Sequence, residues 1–262
     1  MSAAVALQGA IVPDWPAHPR VGALMSTRAG GASAPPYDTL NLGRAVGDDP
    51  AAVEENRRRF VAALGGARPV WLTQVHGALV VHLRAGTATA PPEADAAIAT
   101  EPGPACVVSV ADCLPLLFAA PGGRGVGAAH AGWRGLAAGV LQNTVRAMRR
   151  RLHDEPARIV AYLGPAIGPA RFEVGEDVLA AMRGQLPEAA RAFRAGAPGK
   201  YLADLYALAR QALAQVDVVD VHGGQLCTAS DPERFYSFRR DRVTGRHAAL
   251  IWRKGGVSPA TR

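Results

Sequence analysis

The stretch GVGAAHAGWRGLAAGVLQNTVRAMRRRL, Gly125 to Leu152, joins two kinds of periodicity across one glycine-bearing turn. Its first part, Gly125 to His130, is short, apolar and small-sided, and reads as a buried strand. Beyond the turn, Leu136, Val140, Leu141, Val145, Met148 and Leu152 recur at helical spacing and define one buried stripe. His130 therefore falls where a strand gives way to a helix. Gly132 and Gly135 beside it permit sharp turns and close approach of a ligand. A helix starting near Gly135 would aim its N–H groups toward the strand end. Arg134 adds a planar donor fork suited to phosphate or carboxylate. On these residues alone, a strand-capping His130 and a surface-paired Arg134 are equal alternatives.

Outward from this stretch, strands and helices are interspersed. Pro50 to Leu64 reads as a helix with Val53, Phe60, Val61 and Leu64 on its apolar side. Val70 to Leu83 reads as extended chain broken at His76 and Gly77, and Ala105 to Cys113 as a buried strand. Arg158 to Leu163 is a further strand, followed by helices over Glu176 to Met182 and Leu202 to Ala214. Val216 to Val221 and Ala248 to Trp252 read as late strands. The alternation is not a regular βαβ repeat, and no GxGxxG follows a first strand, so a dinucleotide fold has no support.

Two other short segments carry chemistry. TQVHG (Thr73 to Gly77) and ADCLP (Ala111 to Pro115) place His76 and Cys113, like His130, beside glycine, proline or aspartate at a strand end. One thiolate and two imidazoles make a three-ligand metal site with the fourth tetrahedral position open, as catalytic zinc requires. Spacing alone does not establish it, because no close-packed zinc pattern is present. Were Cys106 to Cys113 one regular strand, the odd separation would put the two thiols on opposite faces. Cys106 then reads as a small core hydrophobe.

Composition sets bounds. The chain has 262 residues, 49% of them hydrophobic, enough for a substantial core. Its three cysteines form no disulfide framework, which fits a reducing compartment. No apolar run approaches the roughly 20 residues that span a bilayer. The start MSAAVALQGAIVPDW has neither the basic beginning nor the long apolar stretch of a secretory signal. A cytoplasmic protein without membrane partners is expected. The net charge of +7 invites a nucleic-acid reading. Against it, no recognition-helix motif is present, and Arg149 to Arg151 reads as the solvated end of a helix, where cations suit the dipole.

The motifs quoted, taken in order, resemble those of the multicopper polyphenol oxidoreductase (laccase-like) family. Members are also called peptidoglycan editing factors or purine nucleoside phosphorylases of the laccase-domain type. The resemblance begins at STRAGGAS (Ser26 to Ser33), LNLG (Leu40 to Gly43) and GDD (Gly47 to Asp49). It passes through TQVHG, EADAAIAT (Glu93 to Thr100), ADCLPLL and HAGWRG. It closes with YLGPAIGP (Tyr162 to Pro169), FEVG (Phe172 to Gly175), Cys227 with Thr228, and FYSFRRDRVTGR (Phe235 to Arg246). It implies an α+β fold, a layered α/β/β/α sandwich with mixed β-sheets, as a single domain over residues 1–262. It also implies that His76, Cys113 and His130 bind one zinc ion, or copper.

The candidate catalytic residues are Cys113, His130 and Asp112. Arg28, Asn41, Arg57 and Arg134 are candidate substrate residues, and Asp112 and Gln74 stand beside metal ligands as supporting groups. For Arg28, Asn41, Arg57, Asp112 and Gln74, a loop-fixing bond or surface ion pair is nearly as good a reading. No ligand motif claims His18, His82, His153, His222 or His247.

Four-copper oxygen chemistry does not follow from the family's name. Seven histidines cannot furnish both a blue-copper centre and a histidine-rich trinuclear cluster. The resemblance implies instead phosphorolysis of adenosine, inosine and methylthioadenosine, with purine nucleosides and phosphate as partners, by a monomer or homodimer. It also implies hydrolytic deamination of adenosine, where an activated water attacks the purine C6. The alternative is an amide hydrolase of cell-wall precursors (peptidoglycan editing) using the same zinc or a Cys113/His130 pair.

Overall fold

The computed structural model describes residues 7–86, 90–153 and 158–255. The first six residues, part of the stretch behind the cytoplasmic expectation, lie outside these. Six strands form the larger sheet, in the order Val221–Gly223, Val160–Leu163, Leu114–Ala119, Val126–Ala131, Ala96–Ala99 and Val80–Leu83. A four-stranded sheet runs Val21–Met25, His247–Arg253, Pro104–Val110 and Arg68–Val70. Both are mixed, with mostly antiparallel pairs and parallel pairs at their edges. A small antiparallel sheet joins Phe193–Ala195, Lys200–Ala203 and Glu173–Gly175.

The alternation of side chains along each strand explains the layering. Cys106, Val108, Ala249 and Ile251 of the four-stranded sheet pack against Ala97, Leu117, Val126 and Ala128 of the six-stranded one. The opposite face of the larger sheet, with Ile98, Leu116 and Phe118, is covered by Val140, Val145, Met182 and Leu208 from helices. The outer face of the smaller sheet, with Val107 and Leu250, is covered by Phe60 of the helix Pro50–Ala62. This is the layered α/β/β/α sandwich. Burying such side chains contributes about 1.5–3 kcal/mol each before entropy is counted.

Several elements differ from the sequence reading. The stripe from Leu136 to Leu152 belongs to two helices, Trp133–Ala137 and Val140–Leu152, because Gly139 takes φ 82 between them. The strand read through Cys113 ends at Val110, and a turn over residues 111–113 leads into Leu114–Ala119. Val61 lies 38% exposed while Asn56 is buried in its helix. Val216–Val221 is not a strand; the chain turns after the helix Leu205–Ala214 and pairs only at Val221–Gly223. At the arginine run, Arg150 and Arg151 are exposed, but Arg149 is buried. No helix of the described residues is long and apolar enough to cross a membrane.

Candidate metal centre

Strand register assembles the centre. Leu114 pairs with Ala131 in one antiparallel ladder, which carries Cys113 toward Gly132. Ala96 pairs with Ala129 in the ladder on the other side, which brings Asp95 to His130. His130 is thus flanked by Cys113 and Asp95, residues 17 and 35 positions away. His76 arrives from the loop before Val80–Leu83. The ligand atoms of His76, Cys113 and His130 all lie within 4.8 Å of one another. The two imidazoles meet edge to face, with centroids 4.7 Å apart.

Asp95 holds this arrangement, and the sequence reading did not single it out. Its Oδ1 lies 2.8 Å from His130 Nδ1, and its carboxylate accepts the backbone N–H groups of Val75 (3.2 Å), His76 (2.9 Å) and Gly77 (2.7 Å). These bonds secure a loop in which His76 has a left-handed backbone, φ 60. Burial pushes the Asp95 pKa up, but the bonds to His130, Gly77 and Val75 outweigh it and hold the carboxyl below its ordinary range. With Nδ1 engaged, His130 keeps Nε2 for a metal. An acidic residue directly before the buried run Ala96–Ala99, within EADAAIAT, was the available signal.

Gly132 supplies space. A Cβ there would lie 2.8 Å from Cys113 Sγ and 3.4 Å from His76 Cδ2. Burial raises the Cys113 pKa, yet hydrogen bonds with His130 and His76 hold the thiol below its ordinary range. Thiolate, two imidazoles and a carboxylate behind one of them are the donor set of a three-ligand site for zinc or copper. Among the described residues this is the one such group. His82 pairs with Thr100, His222 with Asp220, and His247 accepts the Tyr236 N–H. Cys106 is buried between the sheets, and Cys227 accepts the Gly168 N–H. The two thiols fall apart as expected, although a turn, not strand parity, separates them.

Two cavities meet at the centre. One of about 580 Å³ is lined by His76, Cys113 and His130 together with Arg44, Arg57, Trp71, Phe238 and Arg246. The other, about 300 Å³, shares His76, Cys113 and Phe238 and adds Trp133, Arg134, Phe172, Arg239 and Arg242. Arg57 and Arg134 therefore stand beside the centre. Arg28 and Asn41 line neither cavity. Arg28 bonds the carbonyls of Asp38 and Pro232 and pairs with Asp38. Asn41 is fully buried, binding Asp48 and Gly43 and accepting the Arg246 N–H. Both fasten loops, which was the structural alternative.

Asp112 sits at φ 83 with its carboxylate occupied. It accepts from Thr228 Oγ1 (2.6 Å), Ser237 Oγ (3.0 Å) and the Arg239 N–H (2.6 Å). It thereby ties the turn carrying Cys113 to the short helix Phe238–Asp241. Gln74 clips onto Ser109 through both its amide atoms. The helix after His130 starts at Trp133, not near Gly135, and is only five residues long. Arg246 and Phe238 also went unselected, although both lie within FYSFRRDRVTGR.

Known proteins resemble this chain over most of its length. YfiH of Escherichia coli, named a purine nucleoside phosphorylase, is 51% identical over 92% of this chain and 98% of its own length. A purine nucleoside phosphorylase of Pseudomonas aeruginosa is also 51% identical, over 92% of this chain and 97% of that protein. A Neisseria meningitidis protein of known structure, assigned to DUF152, superposes with a TM-score of 0.89 at 48% identity. It covers 95% of this chain and 100% of that one. YlmD of Geobacillus stearothermophilus superposes with a TM-score of 0.85 at 36% identity, over 92% of this chain and 94% of that one. The pattern described as multi-copper polyphenol oxidoreductase laccase matches residues 22–254, and the chain belongs to that family.

Proposed function

We propose that this chain cleaves purine nucleosides by phosphorolysis at a metal centre formed by His76, Cys113 and His130. The observation that carries the reading is a cavity of about 580 Å³ opening onto all three residues. Pockets that enclose small organic ligands have volumes of about 300–1,000 Å³. The names carried by the Escherichia coli and Pseudomonas aeruginosa relatives support the reading. In the reaction a phosphate oxygen attacks the anomeric carbon, the bond from that carbon to the base breaks, and the departing base is protonated. Free base and pentose 1-phosphate result.

A zinc ion, or copper, held by the three ligands would supply a Lewis acid at the wall of the cavity. Asp95 fixes the orientation of His130, and Gly132 keeps space for the thiolate. Phe238, exposed in the cavity wall, offers a flat face to a purine. Arg57 and Arg134 are assigned to the substrates, Asp112 to positioning the Phe238 helix, and Arg28 and Asn41 to loop structure. Hydrolytic deamination of adenosine is proposed for the same centre, in a single-domain cytoplasmic enzyme. A second reading, amide hydrolysis of cell-wall precursors, draws on the Cys113 thiol, which the imidazoles hold low against the push of burial.

The deciding experiment gives purified, metal-quantified protein inosine or adenosine, with and without phosphate, beside Cys113→Ala. Phosphate-dependent release of base, lost with the metal in Cys113→Ala and on chelation, is expected. Inosine formed from adenosine would add deamination. Metal-loaded protein that leaves both nucleosides intact would refute the reading. Activity that survives chelation but not thiol alkylation would favour the metal-free Cys113/His130 pair.

A further inference from the structure

The large cavity gathers positive charge that no carboxylate in its wall offsets. Arg44, Arg57 and Arg246 line it, and no aspartate or glutamate does. Arg44 pairs with Glu54 at the exposed rim. The other two are different. Arg57 gives Nε and one terminal nitrogen to a single carbonyl, Leu42 O, at 2.9 and 2.8 Å, and its guanidinium lies 3.8 Å over the Trp71 ring. Arg246 donates to the carbonyls of Thr244 and Gly245, both at 3.0 Å, with its guanidinium 5.9 Å from the Phe238 ring. Neither has a carboxylate partner among the described residues.

The two arginines are anchored on the same piece of chain. Leu42 N–H donates to the Arg246 carbonyl, while Leu42 O receives Arg57. Gly43 makes room for the Arg246 side chain, since a Cβ at that position would lie 2.7 Å from Arg246 Cγ. Burial lowers the pKa of both guanidiniums; Arg44 adds to the effect on Arg57 and Glu54 opposes it, while Cys113, Asp112 and Tyr37 oppose it at Arg246 without outweighing burial. A half-buried cation with no carboxylate in contact is costly, and an anion in the same cavity relieves that cost.

We propose that Arg246 and Arg57 form an oxyanion subsite that takes inorganic phosphate into the large cavity beside His76, Cys113 and His130. This rests on the phosphorolysis reading for its role but not for its existence. The smaller cavity also carries arginines, yet Arg134, Arg239 and Arg242 are exposed, so water already compensates their charge. Its wall brings together Trp133, Phe172 and Phe238, with Arg134 and Arg239 stacked on the first two. Phe238 lines both cavities, as do His76 and Cys113. Phosphate held by Arg57 and Arg246 would lie beside the metal ligands, in the cavity that Arg134, Arg239 and Arg242 do not line.

The test is calorimetric titration of the metal-loaded protein with inorganic phosphate, and separately with adenosine 5′-monophosphate. Wild type is compared with Arg246→Gln, Arg246→Lys, Arg57→Gln and Arg239→Gln. Loss of a charged hydrogen bond predicts phosphate affinity about tenfold or more weaker in Arg246→Gln and in Arg57→Gln. Arg246→Lys, which keeps the charge, should recover part of it, and Arg239→Gln should stay within about twofold of wild type. Metal content and melting temperature identify any variant that fails to fold, and the remaining arginine variant then decides. Phosphate binding untouched by both Arg246→Gln and Arg57→Gln, or lost only in Arg239→Gln, overturns the proposal. So does wild type that binds the nucleotide but not free phosphate. Arg246-dependent phosphate binding without release of base would sink the phosphorylase reading and leave the subsite standing.

Discussion

Asp95 and His130 face each other across an antiparallel ladder, Oδ1 2.8 Å from Nδ1, and the same carboxylate collects three backbone N–H groups of the His76 loop. One buried side chain thus orients one imidazole and holds the other in place. Removing its charge should loosen both.

For Asp95→Asn we expect metal affinity about 10–100-fold lower, the usual consequence of losing a carboxylate behind a ligating histidine. An amide also presents a donor where three N–H groups converge, so the loop itself should shift. Competition with a chromogenic chelator measures the affinity. Wild-type affinity in a folded Asp95→Asn protein would contradict the positioning part given to this residue.

Gly132→Ala tests the space beside the thiol. Gly132 has φ −66, which alanine adopts freely, so the backbone is not the obstacle. The added Cβ would stand 2.8 Å from Cys113 Sγ. Overpacking of this kind costs about 1–3 kcal/mol when neighbours must move. The expected signature is reduced metal stoichiometry alongside a melting temperature lowered by a few degrees in the chelated protein. Wild-type metal stoichiometry with only the melting temperature lowered would assign Gly132 to packing alone.

Asp112→Asn addresses the tie between the Cys113 turn and the helix Phe238–Asp241. The carboxylate serves three donors, and an amide can accept on one atom only. A stability loss of about 1–3 kcal/mol is expected for the donors left unpaired, read from urea unfolding. Because Phe238 is shared by both cavities, the KM for nucleoside should rise as well. Stability lost without any change in KM would separate Asp112 from substrate placement.

The three ligands were legible because each stands in a short motif beside glycine, proline or aspartate, although the resemblance, not their spacing, joined them into one site. The rest was hidden for identifiable reasons. Leu114–Ala119 is as apolar as Pro104–Val110, so periodicity ran through the turn at Asp112. Gly139 lies between two stretches that share one stripe, and only its positive φ divides them. Asp95 acts through a ladder partner far along the chain, so the acidic residue before Ala96–Ala99 marked an unusual position but not what it serves. Arg28 and Asn41 stood in glycine-bearing loops of the right composition, but composition does not say which way a side chain turns. Arg246 looked like one basic residue in a run of several; only its burial sets it apart.

The last prediction concerns acid stability and His247, a residue remote from any ligand set. The ring is enclosed by Phe235 and Tyr236, and Nε2 accepts the Tyr236 N–H at 2.8 Å, so it must be neutral in the fold. Burial lowers its pKa from 6.5 to about 3, with the nearby arginines adding to the effect. The unfolded chain therefore binds a proton near pH 6.5 that the folded chain refuses until about pH 3. Above that window His247 contributes no pH dependence. Within it, stability should fall as pH drops, by up to about 1.4 kcal/mol per pH unit. His247→Asn keeps an acceptor for Tyr236 but cannot take up the proton. The variant should be less stable than wild type at pH 7.5, and the gap should narrow steadily on acidification toward pH 4. Urea unfolding of both proteins across that range measures the difference, and a gap independent of pH would show that His247 takes up its proton equally well folded and unfolded.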